Sequence, residues 1–129
     1  MAKKKEAIFV ESGYVSPNPL SQAIRYGDLI FCSGYMGRDP KTKKVVPGGM
    51  KAQTRQALEN LQKILAGAGS SFDKVLQVTV FITKKELFSE MNEVYREYFY
   101  KPFPARMCVE VSGMMVEEAL VEIDCIAGI

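Results

Sequence analysis

The sequence predicts an α+β fold in which a six-stranded mixed sheet carries two helices on one face. Three observations carry this expectation. Six short runs alternate in polarity or are rich in β-branched residues, two longer stretches repeat their apolar residues with the period of a helix, and no linker is long enough to divide the chain. The order is β-ββ-α-β-α-ββ. With 129 residues the chain fits one domain spanning residues 1–129, since domains cluster at about 100–150 residues.

Ala7 to Val10 reads as a short strand after a polar start, and Gly13 to Pro19 is a loop of Gly, Ser, Pro and Asn. Ser21 to Arg25 and Leu29 to Ser33 form a hairpin about Gly27-Asp28. Gly37 to Gly49 is a second loop, marked by Asp39-Pro40 and Pro47-Gly48-Gly49. From Met50 to Ala68, the residues Ala57, Leu58, Leu61, Ile64, Leu65 and Ala68 share one helix face, and Gly67 and Gly69 end the helix. Val75 to Ile82 is apolar on both faces around Thr79, the pattern of an interior strand. The second helix is expected to begin at Thr83-Lys84-Lys85-Glu86, a capping-box spacing. It continues through Leu87, Phe88, Met91, Val94, Tyr95, Tyr98 and Phe99, a packing stripe, until Pro102 and Pro104 close it.

The last two strands place charge inside apolar runs. In Ala105 to Val111, side chains alternate so that Arg106, Cys108 and Glu110 share a face, and in Leu120 to Ile126 the residues Leu120, Glu122, Asp124 and Ile126 do so. If Ser112 to Glu118 join the runs as a hairpin, Cys108 falls opposite Glu122 and Arg106 opposite Asp124. With helices on one side only, the other sheet face, carrying Thr79, Phe81 and, if the strands are in phase, the Arg106 and Glu122 rows, is expected to meet solvent or another subunit.

Composition narrows the chemistry. A hydrophobic content of 47% with 25% charge is ordinary for a globular protein. The net charge of +2, with Lys3, Lys4 and Lys5 in a terminal run, gives no reason to expect a nucleic-acid partner. Cys32, Cys108 and Cys125 are odd in number and widely spaced, so neither a disulfide framework nor a zinc site is signalled, and a reducing, cytoplasmic setting is expected. No apolar run has the length of a membrane span and no signal-peptide core follows the start. Histidine is absent, which excludes Ser-His and Cys-His dyads and histidine-ligated metal. Chemistry must then fall to carboxylates, Arg, Lys, Tyr, Ser or Cys.

Several segments together resemble the Rid (YjgF) family of reactive imine and enamine deaminases. They include Ser21-Gln22-Ala23, Cys32-Ser33-Gly34, Asp39-Pro40-Lys41-Thr42, Gln53 to Leu61, Val78-Thr79-Val80-Phe81, Met91 to Tyr95, Phe103-Pro104-Ala105-Arg106, Cys108 to Val111 and Val121-Glu122-Ile123, in family order across nearly the whole chain. The resemblance implies a chorismate-mutase-like fold, a homotrimer with three clefts between subunits, and hydrolysis of a 2-imino acid to a 2-keto acid and ammonia without a cofactor or metal. It also implies roles. Arg106 matches the arginine that grips the substrate carboxylate, Glu122 the glutamate that holds the attacking water, and Cys108 a cleft residue whose backbone carbonyl helps place that water. Ser33 and Gly34 match the cleft wall and Asn92 a cleft-lining asparagine. Leu20, in Asn18-Pro19-Leu20, stands where the family carries an aromatic lid residue.

These residue types suit that chemistry. A guanidinium offers two parallel N–H bonds that fix a planar carboxylate and so the position of the neighbouring imine carbon. A carboxylate can order a water against that carbon and take its proton. The Cys108 thiol lacks an activating base and reads as packed and inert, while Cys32 and Cys125 read as core. Two other functions are open to the same chain. One is a module that binds a small carboxylate or 2-keto acid, or acts as a chaperone, without turnover. The other, with little support, is the ribonuclease or translation-inhibitor activity attributed to some relatives, for which Lys41, Lys43 and Lys44 would be the phosphate-facing patch.

Overall fold

The protein is described by a computed structural model covering residues 2–129. Strands β1 (Glu6–Ile8), β2 (Ala23–Tyr26), β3 (Leu29–Cys32), β4 (Tyr35–Met36), β5 (Val75–Ile82), β6 (Ala105–Glu110) and β7 (Val121–Gly128) accompany helices α1 (Gly49–Gly67) and α2 (Phe88–Tyr95). The seven strands form one sheet in the order β1-β2-β3-β7-β5-β6, with β4 pairing β7 beyond the end of β3. The sequence expectation of six strands thus misses β4, whose two residues are too few to show a period.

Strand β7 is the spine. Val121, Ile123, Cys125 and Ala127 are all buried under α1, while the residues between them lie on the open face. Strand β5 matches it, with Val78 opposite Cys125 and Val80 opposite Ile123 on the helix side, and Thr79 opposite Asp124 and Phe81 opposite Glu122 on the other. Helix α1 buries Ala57, Leu58, Leu61, Ile64 and Leu65 against this layer, and α2 adds Met91, Val94 and Tyr95. Each of the larger aliphatic side chains among these contributes about 1.5–3 kcal/mol on burial. At the β2–β3 turn, Gly27 takes φ +63°, a value glycine adopts without steric cost. Among the described residues no helix is long and apolar enough to cross a membrane.

Two expectations fail for reasons of topology. Strand β6 does not form a hairpin with β7, because it pairs in parallel with β5 after the crossover through α2, and β5 therefore stands between the two. The connection from Val111 to Leu120 passes over the end of β5, tied there by Val111 N–H to Ile82 O at 2.8 Å and Thr83 N–H to Leu120 O at 3.1 Å. The capping box also does not form. The segment after Thr83 opens as a single 3₁₀ turn, Lys85–Leu87, and the Lys85 N–H donates to the Glu110 carboxylate at 2.8 Å. A long-range acceptor on β6 takes the place of the local one.

Candidate active site

Because β5 intervenes, Arg106 and Glu122 occupy opposite faces of the sheet. Arg106 is in register with the buried Val78, and Glu122 with Phe81, so the alternation of β5 sends one toward the helices and the other to the open face. The expectation that both charged rows share the open face holds for Glu122 and is corrected for Arg106.

Arg106 sits on the edge strand, where the helices no longer cover it. Its Nη1 donates to Asn92 Oδ1 at 2.7 Å, and its guanidinium carbon lies 4.7 Å from the Tyr95 ring centroid and 5.8 Å from that of Phe88. Among the described residues it pairs with no carboxylate. Asn92, Tyr95, Arg96, Phe103, Pro104 and Arg106 border a shallow cavity of about 240 Å³. Burial pushes the Tyr95 hydroxyl up to about 12, with Arg106 opposing the rise, so the ring remains a neutral platform. Cys108 is half-buried on the same side of β6, and its thiol is pushed up by burial against the pull of Arg106, which disfavours the reactive thiolate.

Glu122 occupies a different hollow, of about 360 Å³, whose walls include Ser33, Gly34 and Leu20 as well as Tyr14, Met36, Arg38, Met115 and Val116. A Cβ on Gly34 would stand 2.8 Å from Glu122 Oε2, so any larger residue there would have to displace the carboxylate. Burial, with a smaller contribution from Asp124, holds the Glu122 carboxyl above the usual carboxylate range.

Buried amides hold the walls of this hollow. Gln22 accepts from Val10 N–H at 2.6 Å and donates to Tyr14 O at 2.9 Å. Gln53 on α1 donates to Glu118 O at 3.2 Å and accepts from Leu120 N–H at 2.7 Å, fixing the loop that carries Met115 and Val116. Asn60 donates to Met36 O at 3.2 Å and Arg38 O at 2.9 Å. The Ser33 hydroxyl donates to Ser21 O at 2.6 Å. Leu20 is half exposed at the rim.

Of the residues expected from sequence, Arg106, Asn92 and Cys108 thus gather at one place and Glu122, Ser33, Gly34 and Leu20 at another. Tyr14, Arg38, Met115 and Val116 were not expected. They come from loops with no periodicity, and only the cation at position 38 carries a sequence signal.

Comparison with known proteins gives this arrangement its context. Residues 13–129 match the family described as Endoribonuclease L-PSP. A RutC family protein of Pyrococcus horikoshii is 46% identical over 123 residues, covering 95% of this chain and 97% of the relative. A Bos taurus protein named 2-iminobutanoate/2-iminopropanoate deaminase is 39% identical over 109 residues, covering 84% of this chain and 79% of the relative. A crystal structure of a Rid-family protein from Yersinia pestis superposes with a TM-score of 0.93 at 38% identity, covering 98% of this chain and 100% of that one. The chain belongs to the Rid (YjgF, Endoribonuclease L-PSP) family.

Proposed function

We propose that the protein is a hydrolytic deaminase of small 2-imino acids, working as a homotrimer in which the Arg106 half of one copy meets the Glu122 half of the next. The observation that carries this reading is the guanidinium of Arg106, presented at an edge by Asn92 and Tyr95 with no acidic partner among the described residues. A structural ion pair would have consumed it. The fork holds the substrate carboxylate, and Glu122, made more basic than an ordinary carboxylate by its burial, orders a water against the imine carbon. Water adds across C=N to give a carbinolamine, with one proton passing through Glu122 to nitrogen. The C–N bond then breaks, ammonia leaves and the 2-keto acid remains. An iminium hydrolyses readily in water, so orientation and one base suffice. The names of the bovine relative and of the Arabidopsis thaliana relative called Reactive Intermediate Deaminase A, 36% identical to this chain, agree with this chemistry.

The test generates an imine with an amino-acid oxidase in the presence of semicarbazide. Added protein should lower semicarbazone formation in proportion to its concentration, and an unchanged rate would reject the reading. The half-exposed Leu20 at the rim favours a second reading, binding of a 2-keto acid without turnover. Saturable 2-oxobutyrate binding with no loss of semicarbazone would select it. Ribonuclease activity gains little from the structure, since Lys43, one of the three loop lysines, is turned inward over the Tyr14 ring and onto the Val15 carbonyl.

A further inference from the structure

The hollow around Glu122 contains a second guanidinium that imine hydrolysis does not use. Arg38 follows β4 through a tight turn in which its N–H donates to Met36 O at 2.9 Å, while Asn60 holds its carbonyl. Its guanidinium lies 4.9 Å from the Tyr14 ring centroid, and its Nε donates to Lys43 O at 3.0 Å. These contacts fix the plane of the group. They use its face and one nitrogen, and among the described residues no carboxylate pairs with the two terminal nitrogens.

The surroundings add to the positive character. Lys43 Nζ also lies 4.9 Å from the Tyr14 centroid. The loop that places both cations is stiff, with Asp39 accepting from the backbone N–H groups of Lys41 and Thr42 at 2.7 and 3.0 Å. Tyr14 is 7% exposed, and its hydroxyl has no hydrogen-bond partner among the described residues. A half-buried cation held in this way, at the wall of a cavity, has among the described residues no anion to offset its desolvation. The rest of the wall, Leu20, Met36, Met115 and Val116, is apolar and suits methylene groups.

From this geometry we infer that the preferred substrate is a dicarboxylic 2-imino acid, its side-chain carboxylate held by Arg38 while Glu122 serves the imine carbon. The inference rests on the hydrolytic reading of the site and names its substrate class. The imine of glutamate carries the required group. That of norvaline has nearly the same shape without the charge, so the pair isolates the contribution of Arg38. A charge-assisted hydrogen bond contributes about 1.5–3 kcal/mol, so the protein should favour the glutamate imine by about 10- to 100-fold in kcat/KM.

The experiment measures kcat/KM for both imines, produced by L-glutamate oxidase and an L-amino-acid oxidase, with the unaltered protein, Arg38→Met and Arg38→Lys. The ratio of the two constants should fall at least tenfold in Arg38→Met and be partly restored in Arg38→Lys, which keeps the charge and loses the fork. Equal constants for the two imines in the unaltered protein, or a ratio that Arg38→Met leaves alone, would overturn the assignment while leaving the deaminase reading intact. If neither imine is hydrolysed, the deaminase reading falls, and calorimetry with 2-oxoglutarate and 2-oxopentanoate then judges Arg38. Tighter binding of 2-oxoglutarate that is lost in Arg38→Met would support its role as the anion holder, and equal binding would remove it. Size-exclusion chromatography and a thermal melt on each variant identify any that fails to fold, in which case Arg38→Lys alone decides.

Discussion

The two halves of the proposed site are built in different ways. The Arg106 half is a single cation at a sheet edge, steadied by one amide and two aromatic rings and open to solvent. The Glu122 half is a hollow in the open face, framed by loops that buried amides fasten to the core. One half is a reaching arm and the other a fixed cradle. The difference teaches that the proposed orienting cation and the proposed base depend on separate frameworks, so either can be damaged without the other.

The largest effect is expected from Glu122→Gln. Removal of the base should lower kcat by about 10²–10⁴-fold. The pH profile sharpens this. Because burial raises the Glu122 pKa, the base is lost as pH falls through a value above the ordinary carboxylate range, so kcat should drop about tenfold per pH unit on that limb. The residual activity of Glu122→Gln should lack that limb. Stability moves the opposite way, since a raised carboxyl pKa favours the fold below the unfolded value and disfavours it as pH rises through the folded one. Glu122→Gln should therefore melt no lower than the unaltered protein at neutral pH.

Arg106→Lys keeps the charge and loses the fork, and should reduce kcat/KM by about 100-fold with little change in melting temperature, because the side chain is exposed and a lysine retains a cation over the Tyr95 ring. Gly34→Ala presses on the Glu122 carboxylate and should lower kcat by about tenfold, with a smaller effect on substrate affinity. The smallest effect on chemistry is expected at Gln53. Gln53→Leu leaves the Glu118 carbonyl and Leu120 N–H without their partner and should cost about 1–3 kcal/mol in denaturant unfolding, loosening the cradle rather than removing a reacting group.

Much of the fold was legible because its elements announce themselves locally. The period of α1, the apolar run of β5 and the alternation of β7 each follow from residues a few positions apart. What failed was non-local. The insertion of β5 between β6 and β7 puts Arg106 and Glu122 on opposite faces, and no residue of either strand encodes that placement. Thr83 and Glu86 have the spacing of a capping box, yet Glu110, on β6, supplies the acceptor at Lys85. In the site, Arg106 and Glu122 stood out as charges within strands. Tyr14, Arg38 and Met115 did not, because loops bring them to the cavity and loops have no period. Gln22, Gln53 and Asn60, which lie in the segments that resemble the family, prove to be clamps for those loops.

The proposed division of the site between copies is tested most directly by mixing two crippled variants. Arg106→Ala and Glu122→Gln, unfolded together in equal amounts and refolded, should regain about a quarter of full activity, because random assembly gives about one cleft in four an intact arginine from one copy and an intact glutamate from its neighbour. Each variant refolded alone should keep no more than its own small residual activity. If the mixture proves no more active than its parts, although mixed trimers have formed, Arg106 and Glu122 do not meet across a subunit boundary and the account is wrong.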